Sequence, residues 1–274
     1  MFALDNIVFA LFLCFLAGAS TSVGSFLAFF TNRTNTKVLS AALGFSAGVM
    51  LYISFVELLP SSNIYIFDYF ADSFLASLIS ACAFFAGLIL FALLDRFIPE
   101  FENPHQIREV EEINAIDKEK RKKLYNTALI TALVIFLHNF PEGFATFVSA
   151  LANPTSAIAV AIAIAIHNIP EGIAVSVPFY HATNNRKNAF LLSSLSGLAE
   201  PLGAIIGFLL LYPFLNNAVL GILFAFVAGI MVFISLDELL PSAQKYGHHH
   251  LSIYGLILGM IVMASSLLML NPSI

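Results

Sequence analysis

Two segments of this sequence read His138-Asn139-Phe140-Pro141-Glu142-Gly143 and His167-Asn168-Ile169-Pro170-Glu171-Gly172, one six-residue pattern written twice. In each, an imidazole and a carboxylate stand four positions apart, which puts both on one face of a helix. Imidazole nitrogen and carboxylate oxygen suit zinc and related transition metals. Asn139 and Asn168 add amide oxygens on the adjacent strip. Pro141 and Pro170 have no N–H to give, so the carbonyls of Leu137 and Ile166 are left over. Gly143 and Gly172 permit close helix approach.

Other ionisable residues stand in apolar surroundings. Glu200-Pro201 places a third carboxylate beside a helix break. Two histidines and the carboxylates of Glu142, Glu171 and Glu200 suffice for one or two divalent cations, with Glu142 and Glu171 bridging. The bland alternative, ordinary helix–helix hydrogen bonding, fits the duplicated motif poorly, because such groups are rare and costly inside membrane spans. Glu57 is taken as a further ligand. Glu57 and Glu238 each precede a proline by three positions near a span end, where water serves equally well. Asp237 reads as a solvated acid, and Ser54 and Ser235 as partners of their own helix backbone. His248-His249-His250 reads as an exposed tract. His105 and His181 fall in or beside loops.

The elements that carry these residues must lie in a membrane. Of the 274 residues, 59% are hydrophobic and 11% charged, with a mean hydropathy of +0.89. Soluble domains carry about 25% charged residues, so the bilayer is the natural solvent. The net charge of −5 gives no sign of a nucleic-acid partner. Cys14 and Cys82 make no metal or disulfide pattern and read as small buried hydrophobes. A span needs about 20 apolar residues, and eight runs qualify: 7–30, 38–60, 74–97, 125–151, 157–180, 189–212, 219–241 and 251–270. The first lacks a basic flank and is too long for a cleaved leader. The alternation across 157–166 looks strand-like, but an open sheet edge cannot face lipid, so helix is expected.

All twelve Lys and Arg residues fall on one face of this arrangement. The positive-inside rule makes that face cytoplasmic and both termini external. Residues 98–124 form the one sizeable polar segment, expected as a cytoplasmic loop within a single transmembrane domain spanning 1–274. Residues 47–60 and 228–241 are a second duplication, with nine of fourteen positions identical, including Ser, Glu and Pro. The two copies lie on oppositely directed spans, as do the two His-Asn-x-Pro-Glu-Gly copies. Inverted repeats are a mark of secondary transporters with a midplane site. The expected fold is therefore an all-α membrane protein of eight transmembrane helices with inverted internal repeats.

The paired motif on consecutive antiparallel spans resembles the ZIP family of metal transporters, in particular its bacterial ZupT-type branch. The resemblance covers the whole chain: eight spans, external termini, a variable loop after span 3 and a glutamate on span 6. It implies a binuclear transport site of His138, Asn139, Glu142, His167, Asn168, Glu171 and Glu200. Glu57 stands where many members place a histidine or another metal ligand. It also implies uptake of zinc or another divalent cation into the cytoplasm across the inner membrane, without a resident cofactor, and a possible homodimer. Two other readings remain open from the residues. An intramembrane zinc protease would want His-Glu-x-x-His, and the sequence has no such motif. A cation-coupled solute carrier or channel would move its solute with no metal bound.

Overall fold

The computed structural model describes residues 4–28, 36–96, 118–152, 154–245 and 249–270. Their regular structure is entirely helical, and eight helical stretches are long and apolar enough to cross a membrane. Spans 1, 3 and 8 are single helices: α1 (Leu4–Ala28), α4 (Ser73–Asp95) and α11 (His249–Leu270). Spans 4 and 5 are α5 (Lys118–Ala152) and α6 (Pro154–Thr183), joined so tightly that they form an antiparallel hairpin. The alternating stretch 157–166 is helical, with Ala157, Val160, Ala161 and Ile164 buried and Ile162 and Ile166 exposed. Of the polar segment 98–124, residues 98–117 lie outside the described residues, and 118–124 open α5.

Spans 2, 6 and 7 are broken. Span 2 runs as α2 (Thr36–Ile53), a π-helical segment (Ser54–Leu58) and α3 (Leu59–Phe70). It thus passes Pro60, where the sequence suggested an end. The π segment restarts the helix, and Pro60 falls in the first turn of α3, where its missing N–H costs nothing. Span 7 has the same construction: α9 (Asn217–Phe233), a π segment (Ile234–Leu239) and α10 (Leu240–Lys245). The two π segments occupy equivalent positions of the 47–60 and 228–241 stretches. In each, the serine donates to the carbonyl four residues back, Ser54 to Met50 and Ser235 to Met231, both at 2.7 Å. Span 6 breaks at Leu198 between α7 (Arg186–Gly197) and α8 (Ala199–Leu211), so Glu200 lies in the first turn of a half-helix. Spans 2 and 7 pack antiparallel: Ser40 donates to the Ala243 carbonyl at 2.7 Å, while Ser62 meets Gly221 at the other end.

Glycines set which helices lie closest. Gly18 of α1 abuts the Gly197 carbonyl of α7, Gly172 of α6 abuts that of Thr21 in α1, and Gly143 of α5 abuts that of Glu200 in α8. These contacts bind spans 1, 4, 5 and 6 into one unit. Gly48 of α2 meets the Leu256 carbonyl of α11, Gly229 of α9 meets that of Phe84 in α4, and Gly221 of α9 meets Ser62 of α3. These bind spans 2, 3, 7 and 8 into a second. Each glycine whose surroundings are described makes its closest approach inside its own unit.

A Cβ at Gly48 or Gly229 would collide with backbone, which no rotamer relieves. Gly48→Val and Gly229→Val are therefore expected to destabilise by about 1–3 kcal/mol, although valine for glycine normally favours a helix. Thermal unfolding of the purified variants, followed by loss of the monodisperse species, checks this; unchanged midpoints would contradict the contact map.

Candidate metal centre

The two copies of the motif face each other at the centre of the first unit. Their register follows from the antiparallel hairpin: position 138 comes opposite 171, and 142 opposite 167. His138 Nε2 lies 2.9 Å from Glu171 Oε1, and His167 Nε2 lies 2.8 Å from the same oxygen. His167 Nε2 is also 3.5 Å from Glu142 Oε1. Glu171 is thus shared by both imidazoles. The spacing of four positions makes a pair within α6, whereas His138 pairs across the hairpin instead of with Glu142 of its own helix. The imidazole rings sit 6.4 Å apart, centroid to centroid. One donor atom each from His138, His167 and Glu171 lie within 4.8 Å of one another, close enough to share an ion.

The centre is dry. His138, Asn139, Glu142, His167, Asn168, Glu171 and Glu200 are all at most 2% exposed. Both oxygens of Glu142, Oδ1 of Asn168 and Oε2 of Glu200 receive no hydrogen bond among the described residues. A buried acceptor without a partner costs about 1–3 kcal/mol, more if charged. Several together in one dry space form a set of acceptors that a cation could satisfy.

The amides are anchored from behind. Asn168 Nδ2 donates to the Ala17 carbonyl at 3.0 Å and to Glu200 Oε1. This ties α1, α6 and α8 together and leaves Oδ1 unengaged. The Asn139 amide can be drawn in two orientations, of which only the turned-over one satisfies both its ends. In one, its N–H reaches the Ser196 carbonyl at 3.4 Å. Turned over, its N–H faces Glu171 Oε2 at 3.3 Å. The first presents an oxygen to a cation, and the second satisfies the carboxylate without one.

Glu200 reaches the centre because Gly143 lets α8 press against α5 one residue after Glu142. Seven of the residues expected at the site are therefore gathered in one place. Glu57 lies elsewhere. It is half-buried and lines a cavity with Ser61, Tyr65, Asp68 and Ser149. The reverse holds for Glu238, which the sequence left undecided. It is 2% exposed, and its Oε2 stands 3.9 Å from His138 Nδ1, reaching in from the π segment of span 7. Asp237 beside it is exposed, as expected. Neighbours on a helix point about 100° apart, so when Glu238 faces the centre Asp237 faces away. His249 and His250 are exposed, and His248 and His105 fall outside the described residues.

Comparison with known proteins finds zinc transporters. A family model described as "ZIP Zinc transporter" matches residues 99–267. The chain is 52% identical over 278 residues to the zinc transporter ZupT of Clostridium perfringens (strain 13 / Type A), covering 97% of each chain. It is 55% identical over 266 residues to the ZupT of Lysinibacillus sphaericus (strain C3-41), covering 97% of this chain and 98% of that protein. It is 49% identical over 265 residues to the ZupT of Chlorobium chlorochromatii (strain CaD3), with the same coverage.

Because Glu171 serves both histidines, its charge matters most to the centre. Glu171→Gln is expected to weaken zinc binding at least 100-fold, about 2.8 kcal/mol. Equilibrium dialysis of purified protein with radioactive zinc measures this, and an affinity within tenfold of the parent would remove Glu171 from the centre.

Proposed function

The chain belongs to the ZIP family of zinc transporters, and we propose that it carries divalent transition-metal cations, zinc foremost, into the cytoplasm through the His/Glu/Asn centre. It is a multi-pass protein of the inner membrane and not an enzyme. The observation that carries the reading is the convergence of two imidazoles and three carboxylates, all buried, with several acceptors left unengaged. The cation is the substrate. His138, His167 and Glu171 would hold one ion. Glu142, Asn168 and Glu200, with Asn139 turned oxygen-inward, would supply a second position, making the centre binuclear. Mixed nitrogen and oxygen donors suit zinc and also admit iron, manganese, cobalt and cadmium.

Movement follows from the packing. We assign alternating access to displacement of the unit of spans 1, 4, 5 and 6 against that of spans 2, 3, 7 and 8. Tight glycine contacts hold each unit internally. The centre belongs to the first unit, and Glu238 touches it from the second, so displacement separates His138 from Glu238. Pairing of two copies is part of this reading: spans 3 and 8 are the least buried, at 28% each, and offer the most free surface.

His138→Ala and Glu142→Ala are each expected to abolish radioactive zinc uptake into vesicles while the protein still inserts; normal uptake in either would remove its ligand role. Protons compete with metal for imidazole nitrogen, so zinc affinity is expected to fall as pH is lowered. Zinc titrations at two pH values check this, an unchanged affinity counting against imidazole ligation. Cleavage of peptides by purified protein would favour the enzyme reading instead.

A further inference from the structure

Thr146 is fully buried in α5, and its hydroxyl has no hydrogen-bond partner among the described residues. A threonine or serine inside a helix ordinarily gives its hydroxyl hydrogen to a carbonyl three or four residues back. Ser54, Thr183, Ser194, Ser235 and Ser265 all do so here, each to the carbonyl four back. Thr146 does not. Its neighbours Phe147, Val148 and Ala150 are buried and apolar, and their side chains offer it no acceptor. Leaving a buried hydroxyl unpaired is a cost to the fold. The hydroxyls of Thr21, Ser25, Ser46 and Ser242 are in the same state. Of these five, only Thr146 stands on a helix that carries ligands expected at the centre.

Its place on α5 points the same way. Asn139, Glu142 and Thr146 are spaced three and seven positions, which lines them along one face. Residues four apart on that face have Cβ atoms about 5–6 Å from each other. Helical side chains lean toward the N-terminus of their helix, over the preceding turn. Thr146 therefore leans back over the turn of Glu142, whose two oxygens are themselves unengaged. The N-terminus of α5 carries the basic run 118–123, so Thr146 meets the centre from the outer side. The two proposed cation positions differ in hardness. The first has two imidazoles and one carboxylate. The second draws on Glu142, Asn168, Glu200 and Asn139, oxygen donors only.

We propose that Thr146 is a specificity-determining residue of the metal centre, its hydroxyl adding one neutral oxygen to the donors of the second position. The proposal rests on the binuclear reading above and deepens it. Zinc is satisfied by four donors, whereas manganese prefers an octahedron of oxygens. A further oxygen without charge therefore serves manganese more than zinc. The hydroxyl stays off its own backbone because the cation is its partner, and the fold bears its cost while the position is empty.

Thr146→Val keeps the shape of the side chain and removes the hydroxyl. Binding to the purified full-length protein is read for manganese by the paramagnetic resonance of the free ion and for zinc by equilibrium dialysis. Thr146→Val is expected to weaken manganese binding about tenfold or more and zinc binding less than about threefold. Thr146→Ser, which restores a hydroxyl, should return manganese affinity to within about threefold of the parent. In vesicles, the ratio of manganese to zinc uptake should fall for the valine variant and recover for the serine one. The thermal midpoint of the metal-free valine variant should hold or rise, since an unpaired buried hydroxyl has been removed. Unchanged manganese affinity, equal weakening of both metals, no recovery with serine, or a lowered midpoint would each overturn the proposal. A parent protein that binds neither metal would overturn the transport reading, and this proposal with it.

Discussion

Water is absent from the middle of a bilayer, so a carboxylate there must find its compensating charge inside the protein. Glu171 finds two imidazoles, one on its own helix and one on the neighbour. Glu142 and Glu200 lie in the same dry space, and among the described residues nothing donates to either oxygen of Glu142 or to Glu200 Oε2. That imbalance is what favours a cation at the centre under the proposed function. It also keeps the ligands together, since each would be costlier apart. The rest of the architecture serves to hold this cluster closed to lipid.

Close approach is the means. With a side chain at position 143, α8 would stand further from α5 and Glu200 would miss the centre; with one at position 172, α1 would not reach α6. Asn168 then fastens the arrangement by donating to the backbone of α1 and to Glu200 at once. A unit fastened in this way is the body that the proposed alternating access would move. The second unit, fastened by its own glycines, meets it along a seam that includes the centre and the cavity beside Glu57.

The broken spans shape that seam. The π segments of spans 2 and 7 each add a residue to a turn, and such bulges are frequent at functional sites. In span 7 the result is that Glu238 turns inward to His138 while Asp237 faces outward. In span 2 the corresponding Glu57 does not reach the centre and lines that cavity. The equivalent glutamates of one repeated sequence therefore stand in different surroundings, because the two spans run in opposite directions.

The sequence by itself determined the solvent, the eight spans and the metal-binding chemistry. A chain so apolar dissolves only in lipid, and a duplicated His-x-x-x-Glu is costly there unless it serves a charge. Those are local and compositional facts, legible residue by residue. Tertiary structure decided which histidine met which carboxylate. His138 turned to Glu171 across the hairpin and not to Glu142 four places along, because register between two helices is set by packing and not by spacing within one. It likewise decided that the helix continued past Pro60, that Glu238 came in and that Glu57 went elsewhere. A π turn rotates every later side chain by a fraction of a turn, and no count of positions along the chain reveals where that extra residue is inserted.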